Sequence, residues 1–542
     1  MEKPLLVVVD DIDRLTVEEI CLVFRLVKSN GDFPNTIYLL LFQRQTAEEA
    51  LDNISKGRGK EFLQKIVQVG FDLPTSPAGR IQQILWSELN QLFDGLVDEN
   101  EWELERWANL WAGGLDGYFR NLREVYRLVN SLAFVAASLA REAVLEVNPV
   151  DLIGLECIRV FNVALYESIR ESKSWLAPQY RLKLEDLKPV ADAFLKSAGA
   201  DESSTKQILR QLFPNLDQAW GGPQWSDLFV RQWKAQRRLC THEFFDRYFL
   251  LGVPADQVSE ATIQAFLKCR EDYDALLGIL TQLKHAGLIL QALDRLSVER
   301  SLDEMPDPRF YLLALADISD DLPNTRLGVY GGLFLPGSRL VDLALDRVLG
   351  KLAPADRKGL IMYLIGQSTC LSLTGEWIAQ AAEPEGDDNF PRLDVATSDG
   401  LRKAWLERVR DAGRDGRLSK VVCLVWLLEH WRDWAGPEES RQWVDSIAAD
   451  CGQILGFLRA QVSAAVSQTV GSAYSRDRSS IPWKNLEAFL PRDRWEGVSR
   501  LLGSQVLAGE DLRVKKLLSK SLRRWETGTS DGRPGDFGQD DD

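Results

Sequence analysis

The chain has 542 residues, 45% of them apolar, enough for three or four domains at the usual ~150 residues each. Acidic side chains outnumber basic ones 80 to 65, a net charge of −15, which argues against a largely basic nucleic-acid binder but leaves room for a local basic patch. No apolar run approaches the ~20 residues that span a bilayer, no apolar leader follows Met1, and the seven cysteines, scattered without a CxxC, read as small buried residues of a reducing cytosol.

In chain order, Leu5–Val9 is an uninterrupted β-branched-rich run that ends in Asp10-Asp11-Ile12-Asp13-Arg14. Thr16 caps a helix with Glu18 and Glu19 in its first turn, and Ile20, Val23, Phe24 and Val27 recur at helical spacing. Gly31, Pro34 and Asn35 break that helix, and Thr36–Phe42 gives a second strand. Strand, crossover helix and strand make a parallel βαβ unit, and strands apolar on both faces belong inside a sheet covered on both sides. Two strands and one helix cannot bury two such faces, and the next hundred residues offer no further strand. The expectation is therefore an interior slice of a larger sheet, with its partner strands upstream of Met1 or on another chain.

Ligands of parallel α/β sheets bind beyond the carboxyl ends of the strands. Four apolar residues and then paired aspartates at such an end form a Walker-B-like arrangement. Magnesium is a hard cation that keeps most of its water and takes one or two carboxylates. Asp10 would hold a metal-bound water, and Asp11 would orient or deprotonate an attacking one. The alternative is an acidic cluster that merely caps the next helix, with Asp13 near its start.

The segment Asp10–Arg14 with Glu18-Glu19-Ile20 resembles the Walker B region of KAP-family P-loop NTPases, and three further stretches match that family in order. Gly59–Gln68 followed by Phe71-Asp72-Leu73-Pro74 is similar to the segment after the sensor strand. Tyr118–Asn130 is similar to the R-x-x-x-R-x-x-N helix of the lid. Asn148-Pro149-Val150-Asp151-Leu152, with Leu155, Arg159 and Tyr166, resembles the helix after the lid. Arg238–Thr241 and Phe245–Phe249 resemble a segment of bacterial members. The resemblance implies an ATP- and Mg²⁺-dependent switch in the intact protein, in signalling or in defence against foreign elements. It also implies lid arginines, Arg123 and Arg127, one helical turn apart and able to meet a γ-phosphate, and sensor-side residues Gln43 and Arg44 able to orient water or touch phosphate.

The sequence departs from this pattern at the phosphate loop. No G-x-x-x-x-G-K-S/T occurs, and Gly57-Arg58-Gly59-Lys60 lacks the spacing, the preceding strand and the hydroxyl residue. The chain is therefore expected not to hydrolyse ATP by itself. Leu122 stands where many relatives carry proline. Relatives commonly insert membrane helices between the two nucleotide motifs, an interval absent here, so the lack of a span says nothing of the intact protein.

From about residue 80 the chain reads as almost wholly helical, with apolar stripes at Ile81, Leu85, Leu89, Leu92 and Phe93 and at Trp102, Leu104, Trp107, Leu110 and Trp111. The fold class is thus mostly α: an N-terminal partial α/β (an incomplete P-loop NTPase core with a parallel βαβ), then a long all-helical region. Its expected organisation is a Walker B and sensor half (1–80), a helical lid (81–145), helical domains at 146–265 and 266–382, an acidic linker (383–394), a C-terminal helical domain (395–527) and an acidic disordered tail (528–542). The basic runs Arg231–Arg238 and Arg513–Arg524 read as solvated helix faces, with no strong nucleic-acid signal. His242, His285 and His430 have no companion at metal-ligand spacing, and the tryptophans Trp405, Trp426, Trp431 and Trp434 read as core. A rival reading from a different class is a non-catalytic helical scaffold that has lost nucleotide binding and holds partners through its C-terminal helices.

Overall fold

A computed structural model describes residues 4–30, 33–74, 76–98, 102–178, 182–197, 202–302, 305–322, 324–326, 334–383, 390–468 and 475–528. The expected linker core at 384–389 and the tail from 529 onward lie outside the described residues. The chain divides into two compact units, residues 1–77 and 78–542.

The first unit opens with β1 (Leu5–Val9), α1 (Val17–Asn30) and β2 (Thr36–Leu40), and the two strands run parallel in the register Leu5↔Thr36 to Val9↔Leu40. Thr16 and Glu19 form a reciprocal cap on α1: the Glu19 N–H donates to Thr16 Oγ1 (3.3 Å) and the Thr16 N–H to Glu19 Oε2 (2.9 Å). Then follow α2 (Arg44–Ser55) and α3 (Gly59–Gln64). The core of this unit is small: Ile12, Ile20, Cys21, Phe24, Ala47, Ala50, Leu51 and Leu63. Alternation sets which strand residues reach it. Val9 and Leu40 pack against the core, whereas Leu6, Val8, Ile37 and Leu39 on the opposite face are each 46–56% exposed. Among the described residues the sheet has two strands, and these exposures show its second apolar face to be largely uncovered.

The Gly57–Lys60 stretch is a helix junction. Gly57 takes φ 80°, α3 begins at Gly59, and a Cβ at Gly59 would stand 2.0 Å from the Glu48 carbonyl oxygen of α2. Glycine is needed there for close packing of two helices.

The second unit is helical, beginning with α4 (Ala78–Phe93), α5 (Leu104–Leu110) and α6 (Leu122–Leu139). Ile81, Leu85, Leu89 and Phe93 are buried along α4 and Trp107 and Leu110 along α5, but Leu104 of the expected stripe is exposed. The chain is not helical throughout. After α6 comes the short antiparallel pair β3 (Ala140–Arg141) and β4 (Val144–Leu145), then α7 (Pro149–Phe161), and further antiparallel pairs form at Asn324–Arg326 with Phe334–Pro336 and at Ser463–Gln468 with Ser475–Ser480. Two apolar clusters fill this unit, one over residues 81–248 and one over 258–522. Trp405 and Trp431 are buried in the latter, but Trp426 is half exposed. No described helix is long and apolar enough to cross a membrane.

Candidate functional site

The parallel ladder runs one residue past β2, where the Leu41 N–H donates to the Val9 carbonyl at 2.9 Å. Beyond Val9 the backbone turns sharply. Asp11 takes φ 56° and ψ 33°, a left-handed conformation that aspartate tolerates better than most residues, and Ile12 drops fully into the core behind it. That turn leaves both Asp10 and Asp11 exposed at the carboxyl end of β1. Asp10 Oδ1 accepts the Asp11 N–H at 2.8 Å, and Asp11 Oδ2 forms a solvent-exposed ion pair with Arg14 Nη1 at 3.2 Å.

The end of β2 lies at the same edge. Phe42 packs edge-on against Phe24 with ring centroids 5.3 Å apart, which fixes the chain as it enters α2. Gln43 is exposed, and its Oε1 accepts from Thr46 Oγ1 at 3.3 Å. Arg44 opens α2 and reaches Asp72 Oδ1 at 3.4 Å, again in solvent. One edge of the small sheet therefore presents Asp10, Asp11, Gln43 and Arg44 together.

Arg123 and Arg127 belong to the second unit. Asn121 and Glu124 close a capping box at the start of α6, and both arginines project from its exposed side one turn apart. The Arg127 guanidinium also sits 5.8 Å from the centroid of the Phe161 ring.

Among the described residues, no group of three or more His, Cys, Asp or Glu side chains could hold a metal by itself. The pair at the β1 edge suits a cation that takes one or two carboxylates and completes its shell with water and phosphate oxygens, as Mg²⁺ does.

The basic run Arg231–Arg238 is neither a solvated face nor a phosphate site along most of its length, because Lys234, Arg237 and Arg238 are buried. Asp151 of α7 is wholly buried and accepts from Arg106 Nη1, from Arg238 Nε at 3.4 Å and from the Leu239 N–H at 2.8 Å. Asn148 caps α7 by accepting the Val150 and Asp151 N–H groups, and its own N–H donates to Tyr248 Oη at 3.0 Å. A second cluster joins Glu146 to Arg247 (3.1 Å) and to the Glu260 N–H (2.7 Å), and Glu260 to Arg237 (3.2 Å) and Arg295 (2.9 Å). Lys234 adds ion pairs to Glu243 and Asp294. Burial pushes the Glu146 carboxyl up, and its hydrogen bonds and Arg247 only partly offset this. Burial also opposes ionisation of Glu260, but Arg295 and Arg237 outweigh it and hold that carboxyl below its ordinary range.

His242 and His430 have local structural partners: Nδ1 of His242 lies 3.2 Å from the Ala177 carbonyl, and Nε2 of His430 lies 3.0 Å from Glu376 Oε2. An open cavity of about 330 Å³ lies beside Arg106, lined also by Glu103, Asn109 and Gln211, but Arg106 is already committed to Glu103 and Asp151.

Residues 1–139 match the family model described as the KAP family P-loop domain. The phage T7 exclusion protein of Escherichia coli (strain K12) is 31% identical over 168 residues, a stretch covering 30% of this chain and 22% of that protein. The chain thus aligns with less than a quarter of the curated relative's length. No solved structure matches the chain.

Proposed function

We propose that residues 1–139, which match the KAP family P-loop domain model, form the metal-side half of an ATP-dependent switch. The observation that carries this reading is the exposed Asp10–Asp11 pair thrown out by the left-handed turn at the carboxyl end of a parallel strand. Asp10 would hold the water shell of a nucleotide-bound Mg²⁺, which supplies charge neutralisation on the phosphates. Asp11 orients, or takes a proton from, the attacking water. Gln43 and Arg44 border the same edge, and the family resemblance assigns Arg123 and Arg127, in the second unit, the offsetting of charge on the transferred group. The uncovered face of Leu6, Val8, Ile37 and Leu39 supports a larger sheet, whose further crossover helices would cover that face and whose further strands would carry a phosphate loop. Residues 1–542 contain no such loop, so the switch is inactive until that half is supplied. The E. coli relative's name, phage T7 exclusion protein, supports a role in defence against foreign elements.

The test is to express the reading frame extended by the DNA that precedes it and to measure Mg²⁺-dependent ATP hydrolysis. Activity should appear in the extended protein alone and fall by about a hundredfold or more in Asp11→Asn, in line with the usual effect of removing a positioned acid–base group. Equal activity in Asp11→Asn and the parent, or the lack of any phosphate loop in the preceding DNA, overturns the reading. A second reading, a non-catalytic helical scaffold, is favoured by the missing phosphate loop together with the extensive helical core over 258–522. It requires that the extended protein bind partners equally well with and without ATP.

A further inference from the structure

The outward side of α6 is a continuous face. Its exposed residues are Arg123, Tyr126, Arg127, Asn130, Phe134 and Ala137, and at 100° per residue they fall within an arc of about 100°. Phe134 is 63% exposed and Tyr126 44%. The face carries two positive charges, because the helix's one acid, Glu124, is turned back onto the Arg120 and Asn121 N–H groups. Arg127 rests on the Phe161 ring, and among the described residues neither Arg123 nor Arg127 has an ion pair. A face of the opposite charge lies on the helix Leu424–Ala435. Its exposed residues are Trp426, Glu429 and Asp433, spaced by three and four positions and so on one side. Trp426 is 46% exposed, and neither acid has an ion pair among the described residues.

We propose that the α6 face seats the Leu424–Ala435 helix of a second copy of this chain, with the two helices antiparallel. Spacing and charge both match. Phe134 and Arg127 stand seven residues apart, as do Trp426 and Asp433, about 10 Å in each case at 1.5 Å per residue. Antiparallel helices that set Phe134 against Trp426 therefore set Arg127 against Asp433. Glu429 then falls between these pairs, opposite Asn130. Tyrosine, tryptophan and arginine are the side chains on which protein interfaces concentrate their binding energy, and the paired faces hold all three. Both faces lie open on one chain, so each finds its complement on another copy. Two copies can make the contact once, which leaves a face open at either end for growth, or twice about a two-fold axis. The proposal goes beyond the nucleotide reading and does not need it. Where both hold, a seated copy engages the arginines assigned to the transferred group, so assembly and that contact exclude each other.

Sedimentation velocity of the full chain tests it. Contacts of this size belong to the transient class, below about 1,200 Å² in total. Association should therefore rise with protein concentration over about 1–200 μM and weaken as salt rises from about 50 to 500 mM. The variants Glu429→Gln/Asp433→Asn and Arg123→Gln/Arg127→Gln should each need at least about tenfold more protein to associate, as loss of an interfacial charge pair does, with an unchanged thermal melt. A mixture of the two variants restores one basic face and one acidic face, and should form one-to-one pairs at concentrations where neither variant associates alone. Three results overturn the proposal: a parent that stays monomeric at the highest concentration and lowest salt, a variant of either face that associates like the parent, or a mixture that associates no better than its components.

Discussion

Asp151 and Asp10 are both aspartates in motif-bearing stretches, yet their surroundings give them opposite roles. Asp151 has no solvent exposure and two arginines against it, whereas Asp10 is exposed and, among the described residues, accepts its neighbour's N–H alone. Removing one partner from a buried ionic cluster leaves the others charged and dry, at about 3–5 kcal/mol. Asp151→Ala should therefore lower the unfolding free energy by that amount in urea denaturation followed by circular dichroism. Asp10→Ala should change it by less than about 0.5 kcal/mol, as exposed substitutions do, and a comparable loss at Asp10 would contradict its placement at an open edge. The position of the acidic pair at the carboxyl end of β1 was legible in the sequence because the apolar run stops there. The burial of Arg237 and Arg238 was not, because the partner of Arg238 lies 87 residues away and a run of cations looks the same whether solvated or neutralised.

Elements whose residues repeat at a fixed period were readable. The strand bounds at Leu5–Val9 and the cap at Thr16 follow from β-branched runs and hydroxyl–carboxylate spacing. The hairpin of Ser463–Gln468 and Ser475–Ser480 was not readable, since the sequence Ser-Arg-Asp-Arg-Ser-Ser has neither apolar alternation nor β-branched residues. The glycines Gly57 and Gly59 were excluded as a phosphate cradle by their spacing, but what they do instead was not readable from composition. Packing shows it. Gly59→Ala would drive a methyl group into the Glu48 carbonyl oxygen, a backbone atom that cannot rotate away, and should cost at least the ~1–3 kcal/mol of an overpacked core. Hydrogen exchange should quicken across residues 44–64 and stay unchanged across 122–139. Uniform behaviour in both stretches would show that the junction is not tight.

At the scale of the molecule, the first unit rests, among the described residues, on eight buried apolar side chains, while the second holds two far larger clusters. Stability follows buried area, so the two units should not melt together. The segment before residue 78 leaves Phe71 and Leu73 86% and 84% exposed. Limited chymotrypsin digestion should cut first after Phe71, because Pro74 protects the bond after Leu73. Intact mass should then show a stable fragment that begins at Asp72. First cleavage inside 122–139 would contradict this order.

The two clusters of the second unit meet through ions. Lys234, Arg237 and Arg247 on one side engage Asp294, Glu260 and the Val258 carbonyl on the other, and Arg295 reaches back to the Ala235 carbonyl. Greasy surfaces tolerate a small slide, since one methyl contact substitutes for another. A keyed row of guanidinium and carboxylate groups does not: a shift of a few ångströms strands charge where water cannot reach it. A joint keyed in this way should therefore resist a partial slide more than an apolar joint of the same size would.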